Sequence, residues 1–407
     1  MKYLFLLISL ACASKTVAQE KQQYVLMISF DGFRHDYVEM YPTPNFDTFI
    51  KNGAAAESLI PSFPSKTFPN HYTLVTGLYP ANHGLVDNSF YDRGRDVVYS
   101  MRMKELVTDD YFYGGIPLWQ HAQNNGLKTA SYFWVGSEAP VGGNFPSYYY
   151  NYNGSISNEM RIEQVRKWLE LPEEERPRFI SLYFSLVDSE GHRYGPVSPQ
   201  TGEAVKEADR LLGLIRKELS QIDLPVNILI TSDHGMVSVK DEKDSFIQLE
   251  DYFDAENHVF RMVNNNTHAH LYFKDKSKID SVFNKLRDIS KDFKVYKKGE
   301  TPDHWHYNSP NDRIGDLLIS AEPGTVLSTR MWEKGDSPNF GVHGYDPSFK
   351  TLHGIFYANG PAIKKGETVP SFENIHVYPL VCLLLGIPVP ENIDGKQEVL
   401  ETIIKNK

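Results

Sequence analysis

The sequence predicts an α/β fold, doubly wound around a mostly parallel sheet, with a small α/β insertion. Three observations favour this fold class: apolar runs of strand length, helix-periodic segments between them, and aspartates directly after three of the runs. Apolar runs without polar alternation are typical of central strands that are covered on both faces. Ligands bind beyond the carboxyl ends of such strands, so the aspartates are expected to mark a functional site.

Four apolar runs are predicted to form the central strands. Three of them end at an aspartate, and the other ends before a glycine. The runs and their aspartates are Tyr24–Phe30 with Asp31, Thr129–Val135, Phe179–Val187 with Asp188, and Val226–Ser232 with Asp233. We expect the three carboxylates to meet at one edge of the sheet.

Helical periodicity separates these strands. Apolar residues recur at three- and four-residue spacing in Asn158–Leu171 and Thr201–Ile222, with Thr201 as the expected N-cap. A strand at Leu352–Ala358 and a helix at Tyr378–Leu385 follow near the end of the chain. This alternation of strands and helices predicts parallel pairing in one sheet.

The rhythm changes between about residues 240 and 340, with boundaries uncertain by a few residues. Strands are predicted at Ile247–Phe253 and His268–Phe273, and a helix at Lys276–Ile289. We interpret this segment as a small α/β subdomain inserted into one domain that spans residues 19–407.

Residues 1–18 carry the pattern of a secretory signal. Lys2 gives a positive start, Tyr3–Ala13 an apolar run, and Thr16–Ala18 a small-residue cleavage pattern. The apolar run is too short for a membrane-spanning helix, so no transmembrane anchor is expected in the mature chain. The alternative is a lipoprotein lipidated at Cys12, which is disfavoured because serine stands where a lipobox prefers leucine. Both patterns predict export to a periplasmic or extracellular location.

The bulk composition excludes several classes of function. The 407-residue chain has 41% hydrophobic and 23% charged residues, which is typical of a globular protein. Its net charge of −10 argues against a protein that coats nucleic acid or an anionic membrane, because phosphate would repel it. Beyond the signal, Cys382 is the remaining cysteine, so no internal disulfide is expected. A small phosphodiester or nucleotide held by metal ions is compatible with this charge.

The stretch Pro61–Asn88 contains the first catalytic group that the sequence suggests. Thr67 precedes a helix-compatible segment, so its hydroxyl is expected at a helix N-terminus, where unpaired N–H groups favour an anion. A hydroxyl is a poor nucleophile at neutral pH unless a base or a metal lowers its pKa. The rest of the chain must therefore supply such a group.

Four short motifs, DGFR, DSEGH, SDHG and HGYD, supply the expected metal ligands. These ligands are Asp31, Asp188, His192, Asp233, His234 and His343. Carboxylate oxygen and imidazole nitrogen are the usual zinc ligands besides thiolate. A catalytic zinc takes about three protein ligands, so these residues, with Thr67, suit two Zn²⁺ ions that clamp a phosphoryl group. Each motif alone is weak evidence, because Asp-Gly after a strand is usually a turn, and the prediction rests on the combination.

Other basic side chains are interpreted as structural or solvent-exposed. Lys66 is read as a solvated surface lysine, although it is adjacent to Thr67. Histidines that lack acidic neighbours at strand ends are assigned no role in the site: His268, His270, His304, His306 and His353.

Longer motifs give the chain a family resemblance. The segments are KTFPNHYTLVTGLYPANHGLVDN, DGFR, FWVGSE, NYNGS, DSEGHRYGP, SDHGM, HYNSPNDRIGDLL and HGYD. Their sequence and order resemble the nucleotide pyrophosphatase/phosphodiesterase family of the alkaline phosphatase superfamily, from Tyr24 to about Asp394. The resemblance implies the alkaline phosphatase type of fold and a two-zinc hydrolase that acts through a phosphothreonine.

The resemblance also implies a role for each site residue. Thr67 matches the nucleophile, and Asn88 matches a hydrogen-bond donor to a phosphoryl oxygen. The ligands of one zinc would be Asp188, His192 and His343. The ligands of the other zinc would be Asp31, Asp233, His234 and Thr67.

Two sister families fit less well. Sulfatases carry Cys or Ser ahead of x-Pro-x-Arg, whereas this chain has Thr67 and lacks that arginine. Phosphomonoesterases of the superfamily add positive charge for the phosphate dianion, which no residue of this sequence plainly supplies.

Three aromatic residues resemble those that bind the base in nucleotide-preferring members: Phe68, Tyr152 and Tyr183. Stacking would contribute about 1–3 kcal/mol per base. These residues favour nucleotide 5′-phosphodiesters and pyrophosphates as substrates. The alternative within the family is a choline-phosphodiester or lysophospholipid phospholipase C, whose quaternary ammonium a tyrosine-rich loop would attract. An alternative of another class is a catalytically silent binding protein with the same fold.

Overall fold

The structure is a computed structural model that describes residues 22–249, 252, 261–289, 293–328 and 338–405. The predicted signal sequence, with Cys12, lies outside the described residues. Part of the predicted strand Ile247–Phe253 lies outside them as well.

The strands are numbered in chain order. Strands β1–β9 are Tyr24–Phe30, Ala54–Ala56, Leu59–Ile60, Ser89–Asp92, Val97–Ser100, Thr129–Tyr132, Tyr148–Tyr150, Phe179–Phe184 and Val226–Thr231. Strands β10–β20 are Val237–Lys240, Phe246–Gln248, Arg261–Asn264, His268–Tyr272, Phe293–Lys297, Leu317–Ala321, Val326–Ser328, Asn339–Val342, Phe356–Asn359, Glu367–Val369 and Phe372–Glu373.

The α-helices are distributed between these strands. Helices α1–α9 are Tyr37–Met40, Pro44–Lys51, Thr67–Thr76, Pro80–His83, Lys104–Val107, Leu118–Asn124, Asn158–Leu169, Leu186–Tyr194 and Pro199–Leu219. Two later helices are Ile279–Ile289 and Val377–Leu385. None of the helices in the described part of the chain combines the length and the apolar character that a membrane span requires.

The main sheet has eight strands in the order β19-β2-β18-β9-β1-β8-β6-β7. β1 pairs in parallel with both β8 and β9, and β6 pairs in parallel with β8. Among these described strands, only β18 runs against its neighbours, β9 and β2. The predicted doubly wound, mostly parallel sheet is therefore confirmed.

Helices cover both faces of the main sheet, and β1 explains why. Val25 and Met27 join the hydrophobic cluster under α3, α6 and Val377–Leu385. Their neighbours Leu26 and Ile28 point to the other side and join the cluster under α2, α7 and α9. A strand that is buried on both faces has no polar alternation, which is the pattern that the sequence analysis used.

Several predicted boundaries were too long. β6 ends at Tyr132, because Phe133 adopts a positive φ of 70° that a strand does not accommodate. β8 ends at Phe184 and α8 begins at Leu186, so Asp188 lies in the first turn of a helix and not at a strand end.

Helix boundaries also needed correction. α9 begins at Pro199, and its N-cap is Ser198, whose hydroxyl accepts a hydrogen bond from the Thr201 N–H at 3.1 Å. The prediction that Thr201 is the cap was therefore wrong. The predicted helix Lys276–Ile289 begins with a 3-10 turn, and only Ile279–Ile289 is α-helical. The predicted strand Leu352–Ala358 is reduced to Phe356–Asn359.

A second sheet lies between residues 261 and 321. Its four strands follow the order β12-β13-β15-β14 and are all antiparallel. The chain leaves the main domain along β10 and returns along β17, which pair with each other from Val237↔Val342 to Lys240↔Asn339. We call β10 and β17 the return ladder. It holds the two ends of the intervening segment side by side and delivers the chain directly to His343.

Candidate active site

The main sheet brings three acidic segments together at one edge. β1, β8 and β9 are neighbours, and Asp31 and Asp233 follow the carboxyl ends of β1 and β9. Backbone hydrogen bonds hold the turns in place: the Asp31 N–H donates to Phe184 O at 2.9 Å, and the Asp188 N–H donates to Asp31 O at 3.0 Å. The three carboxylates therefore converge although they are up to about 200 residues apart in the chain.

A first group consists of Asp188, His192 and His343. Asp188 and His192 lie one turn apart on α8, and their Oδ1 and Nε2 atoms are 3.3 Å apart. His343 arrives from the end of β17 and places Nε2 3.7 Å from the same Oδ1. The two Nε2 atoms are 3.1 Å apart. These three ligand atoms are close enough to hold one metal ion.

A second group surrounds His234. Its Nε2 lies 2.9 Å from Asp233 Oδ2 and 3.7 Å from Asp31 Oδ1. Thr67 contributes its hydroxyl, with Oγ1 3.2 Å from the same Nε2. The structure thus brings together all seven residues for which the sequence suggested metal ligation. We call them the catalytic cluster: Asp31, Thr67, Asp188, His192, Asp233, His234 and His343.

The tautomers of the three histidines favour metal binding. Each Nδ1 faces a backbone carbonyl: Gly341 O for His192 at 2.7 Å, Gly235 O for His234 at 2.9 Å, and Ser65 O for His343 at 2.8 Å. A carbonyl oxygen only accepts, so Nδ1 must carry the proton. In the neutral ring Nε2 then carries a lone pair that points into the cluster. This arrangement is usual for metal-bound histidine.

Buried carboxylate oxygens test whether a cation fits here. Asp31 Oδ1, Asp188 Oδ1 and Asp233 Oδ2 are buried and lack a hydrogen-bond partner among the described residues. These oxygens face the Nε2 lone pairs, so hydrogen-bond acceptors lie opposite each other with no donor between them. Buried polar atoms without partners are costly, and positive ions between them would remove that cost. The residues present fit divalent metal ions.

The charges agree with this interpretation. Burial raises the pKa of Asp31 well above its ordinary value, and the carboxylates of Asp233 and Asp188 raise it further. Burial would also raise the pKa of Asp233, but His234 and His71 lower it to about 2. Burial, with His234 and Lys66, holds the pKa of His343 well below its usual range. Burial would lower the pKa of His234, but the Asp233 carboxylate raises it. Crowded carboxylates beside imidazoles are what a bound cation stabilises.

Thr67 lies where the sequence placed it, at the first residue of α3. The N-cap Lys66 offers no side-chain acceptor to the helix. The Phe68 N–H is instead bound by Asn88 Oδ1 at 2.9 Å. This contact fixes the orientation of the Asn88 amide, whose Nδ2 makes no hydrogen bond within the described part of the chain. The free N–H₂ is therefore available as a donor beside Thr67.

Lys66 is not the solvated surface residue that the sequence suggested. It is only 6% exposed, and burial lowers the pKa of its ammonium group to about 8. Its aliphatic stem packs against Gly344, where an added Cβ would come within 2.3 Å of Lys66 Cε. The expectation was wrong because the burial depends on a contact with a residue 278 positions away in the sequence.

A cavity of about 360 Å³ opens next to Thr67. All three predicted base-binding aromatics line it: Phe68, Tyr152 and Tyr183. They are not equivalent. Tyr152 is about half exposed, whereas the Tyr183 hydroxyl donates to Asp31 Oδ2 at 2.5 Å and thus braces a residue of the catalytic cluster.

The opposite wall of the cavity is polar. Arg102 and Lys104 are exposed cations there, and Glu138 lies close to Tyr152, whose N–H donates to Glu138 Oε1 at 2.7 Å. Burial raises the pKa of Glu138. Phe133 and Trp134 complete the apolar side.

The sequence analysis missed His71, which is fully buried beneath the catalytic cluster. Its Nδ1 faces Thr67 O at 2.9 Å and lies 3.4 Å from Asp233 Oδ2, and its Nε2 is bound by Ser29 Oγ at 2.8 Å. The available signal was its position four residues after Thr67, which places both side chains on one face of α3.

A second carboxylate–imidazole group was also missed. His268 and His270 both contact Asp87, the residue before Asn88. The alternation of the segment HAHLYF places both rings on one face of β13. No local feature of the sequence connects them to Asp87.

Known proteins resemble this chain in sequence and structure. The family model for type I phosphodiesterase / nucleotide pyrophosphatase matches residues 25–346. The chain belongs to this family. The matched range includes every residue of the catalytic cluster.

Individual relatives cover nearly the whole chain. A venom phosphodiesterase of Macrovipera lebetinus is 37% identical over 97% of this chain, and the match covers 47% of that relative. The chain thus spans about half the length of the venom phosphodiesterases it matches. Human ectonucleotide pyrophosphatase/phosphodiesterase family member 5 is 34% identical over 95% of this chain and 80% of its own length.

Solved structures of the phosphodiesterase family share the fold. Murine family member 5, as an inactive threonine-to-alanine variant in complex with AMP, has a TM-score of 0.86 and 34% identity. The match covers 94% of this chain and 100% of that one. Human family member 5 also has a TM-score of 0.86, with 32% identity.

Proposed function

We propose that the protein is a two-zinc hydrolase that cleaves nucleotide 5′-phosphodiester and pyrophosphate bonds through a phosphothreonine at Thr67. One observation carries the proposal: carboxylate oxygens that lack hydrogen-bond partners among the described residues face imidazole Nε2 atoms, and one of these, His234 Nε2, lies 3.2 Å from Thr67 Oγ1. The AMP complex of the murine relative supports a nucleotide as substrate.

The donor set supports zinc as the metal. Three carboxylates, three imidazoles and one hydroxyl suit a borderline cation such as Zn²⁺, and two groups of about three ligands suit two ions. Asp188, His192 and His343 would hold one ion, and Asp31, Asp233, His234 and Thr67 the other. Zinc bound there would lower the pKa of the Thr67 hydroxyl and neutralise charge on the phosphoryl oxygens.

Thr67 performs the first displacement. Its Oγ1 forms a bond to phosphorus while the bond from phosphorus to the leaving alcohol or phosphate breaks. Asn88 Nδ2, held by the contact of its Oδ1 with the Phe68 N–H, donates to a phosphoryl oxygen. Water then cleaves the phosphothreonine, which releases nucleoside 5′-monophosphate and restores the hydroxyl.

The cavity favours a nucleotide over a choline ester. Phe68 and Tyr152 offer ring faces for a base next to the nucleophile. Arg102 and Lys104 would repel a quaternary ammonium group, and the Glu138 carboxylate already accepts from the Tyr152 N–H. Among the described residues that line this cavity, Glu138 is the acidic side chain outside the catalytic cluster, which disfavours the choline-phosphodiester alternative.

The protein is also proposed to act outside the cytoplasm. Two observations support this location: the secretory pattern of residues 1–18 and the venom origin of the Macrovipera lebetinus relative.

A comparison of substrates tests the activity. The zinc-loaded protein is assayed on thymidine 5′-monophosphate p-nitrophenyl ester, a dinucleoside polyphosphate and glycerophosphocholine. We expect kcat/KM for both nucleotides to exceed that for the choline diester. A faster choline diester would reverse the substrate assignment, and no turnover of any of them would favour a silent binding protein.

Two variants test the nucleophile. Thr67→Ala should lower kcat by about 1,000-fold or more, because covalent catalysis is lost. Thr67→Ser keeps a hydroxyl and should retain measurable turnover. Zinc content, measured by mass spectrometry, should stay above one ion per chain in Thr67→Ala. Turnover of the alanine variant at the wild-type rate would refute the covalent mechanism.

A further inference from the structure

Asp87 is the centre of a buried polar cluster outside the catalytic cluster. Its Oδ2 accepts from His268 Nε2, from His270 Nε2 at 3.0 Å and from Asn265 Nδ2 at 3.0 Å. Asp87, His268 and His270 are fully buried. We call these four residues the Asp87 cluster. Both histidines lie on β13 of the second sheet, whereas Asp87 belongs to the stretch that ends at β4.

Hydrogen bonding accounts for this cluster, although the ligand atoms of Asp87, His268 and His270 also lie close enough together for a metal ion. The Gly315 N–H donates to His270 Nδ1 at 3.1 Å, so His270 Nε2 carries the proton that points at Asp87. His268 Nδ1 is bound by Thr267 Oγ1 at 3.0 Å, so its Nε2 is free to donate. None of these side chains is among the buried atoms that lack a partner in the described chain.

The cluster keeps Asp87 ionised. Burial alone would raise the pKa of this carboxyl group, but His268 and His270 lower it well below the ordinary range. A buried carboxylate with four donors is rigid, because moving it would leave several buried groups unpaired.

The other oxygen of Asp87 leads to the catalytic site. Oδ1 accepts from the backbone N–H of Asn88 at 2.7 Å. The side chain of Asn88 in turn accepts from the Phe68 N–H at 2.9 Å. Asn88 is therefore held at its backbone by Asp87 and at its amide oxygen by the Phe68 N–H, one residue from Thr67, which leaves Nδ2 without a partner among the described residues.

We propose that Asp87, fixed by His268 and His270, is a positioning residue that holds Asn88 in register with Thr67. The second sheet thereby takes part in phosphoryl transfer without contacting the substrate. This inference rests on the proposed function, since Asn88 matters only if a phosphoryl oxygen binds beside Thr67.

A double-mutant cycle separates positioning from general stabilisation. His270→Phe removes one donor to Asp87 and keeps the volume of the ring. We expect kcat on the p-nitrophenyl nucleotide to fall by about tenfold, with KM changed by less than about twofold. In an Asn88→Ala background the same substitution should change kcat by less than about twofold, because the group that it positions is already gone.

Controls on the same strand sharpen the result. His270→Gln supplies an amide N–H near the position of Nε2 and should recover most of the lost kcat. Tyr272→Phe removes the hydroxyl that binds the Tyr91 N–H at 3.1 Å, on the same face of β13, but it does not contact Asp87. Its kcat should match wild type within about twofold. If His270→Phe does not fold, Asn265→Ala removes another donor and should lower kcat by about threefold.

Phosphate binding provides a readout that does not depend on hydrolysis. Calorimetry of inorganic phosphate with the zinc-loaded proteins should give a several-fold higher Kd for His270→Phe, and no further increase in the Asn88→Ala background. Equal losses in both backgrounds, or an equal loss in Tyr272→Phe, would overturn the positioning role. A wild type that binds phosphate with this pattern but hydrolyses none of the nucleotides would instead overturn the proposed activity.

Discussion

The catalytic cluster and the Asp87 cluster both combine aspartate with histidine, but they differ in whether the aspartate oxygens accept hydrogen bonds. Both place buried aspartate oxygens within about 4 Å of imidazole nitrogens. In the catalytic cluster three carboxylate oxygens lack partners among the described residues, and the Nε2 atoms carry lone pairs. In the Asp87 cluster each histidine donates to the carboxylate.

The partner of Nδ1 on the far side of each ring causes this difference. Carbonyl oxygens face Nδ1 in all three histidines of the catalytic cluster, which makes Nε2 an acceptor. At His270 a backbone N–H faces Nδ1 and makes Nε2 a donor. The residue types therefore do not distinguish a metal site from a hydrogen-bonded structural cluster. The partner of Nδ1 does distinguish them.

Removal of metal should reveal the largest difference between the two clusters. Dialysis against a chelator should lower phosphodiesterase activity by about 1,000-fold or more, because charge stabilisation by two ions is lost. Zinc should restore it with two ions per chain, as measured by mass spectrometry. A third zinc per chain that disappears in His268→Asn would show that the Asp87 cluster also binds metal.

Substitution of one ligand should remove one ion. Asp188→Asn should lower kcat by about 100-fold to 1,000-fold and leave about one zinc per chain. Asp209→Asn is the matched control, because Asp209 is a buried carboxylate that accepts from groups at the start of α2, namely the Asn45 and Phe46 backbone N–H groups and Asn45 Nδ2. Full zinc content in Asp188→Asn would contradict the ligand assignment.

The metal-free protein should respond in opposite directions to two similar substitutions. Asp87→Asn should lower the free energy of unfolding by about 3 kcal/mol, because it breaks a paired buried charge. Asp31→Asn should raise it by about 1 kcal/mol, because it relieves repulsion among crowded carboxylates. Melting temperatures after chelation measure both changes. A loss of stability in both variants would remove the electrostatic distinction between the clusters.

The stability that Asp87 contributes should depend on pH. Its pKa is lowered in the folded protein, whereas an aspartate in the unfolded chain titrates near about 3.9. The contribution is therefore complete above that pH and is lost as the pH falls towards the folded pKa. The difference in melting temperature between wild type and Asp87→Asn should be constant from about pH 5 to 7 and should shrink below about pH 4.

Loss of one hydroxyl should have the smallest effect. Tyr183→Phe removes the donor to Asp31 Oδ2 and should weaken zinc binding by about tenfold, as loss of a group that orients a metal ligand commonly does. Tyr272→Phe, which removes a hydroxyl near the Asp87 cluster, should leave zinc affinity unchanged. Competition with a zinc-binding dye measures both affinities.

The fold and the acidic side of the site could be predicted because their signals are local. An apolar run identifies a central strand such as β1, and Asp31 at its end is placed by the geometry of a parallel sheet. The four-residue spacing of Asp188 and His192 matches one helical turn, but the apolar run before Asp188 led the sequence analysis to place it at a strand end. The lengths of β6 and β8 were overestimated because apolar runs continue into turns and helices.

Long-range burial could not be predicted from local signals. Lys66 is buried against Gly344, and Asp87 meets His270 across 183 positions of sequence. In the sequence, Lys66 resembles an ordinary surface lysine and Asp87 an aspartate in a turn. Only the tertiary packing reveals what they contact. The proposed zinc ligation and catalytic roles stay predictions until the variants above are measured.

The return ladder has a consequence for the order of folding. His192 and His343 meet although 151 positions separate them, and β17, which leads directly to His343, pairs with β10. Contacts between such distant residues carry a large loop-closure cost and therefore form late. Binding of the proposed metal by Asp188, His192 and His343 should accordingly be among the final events of folding. The proposed hydrolysis would then begin only after β10 and β17 have paired.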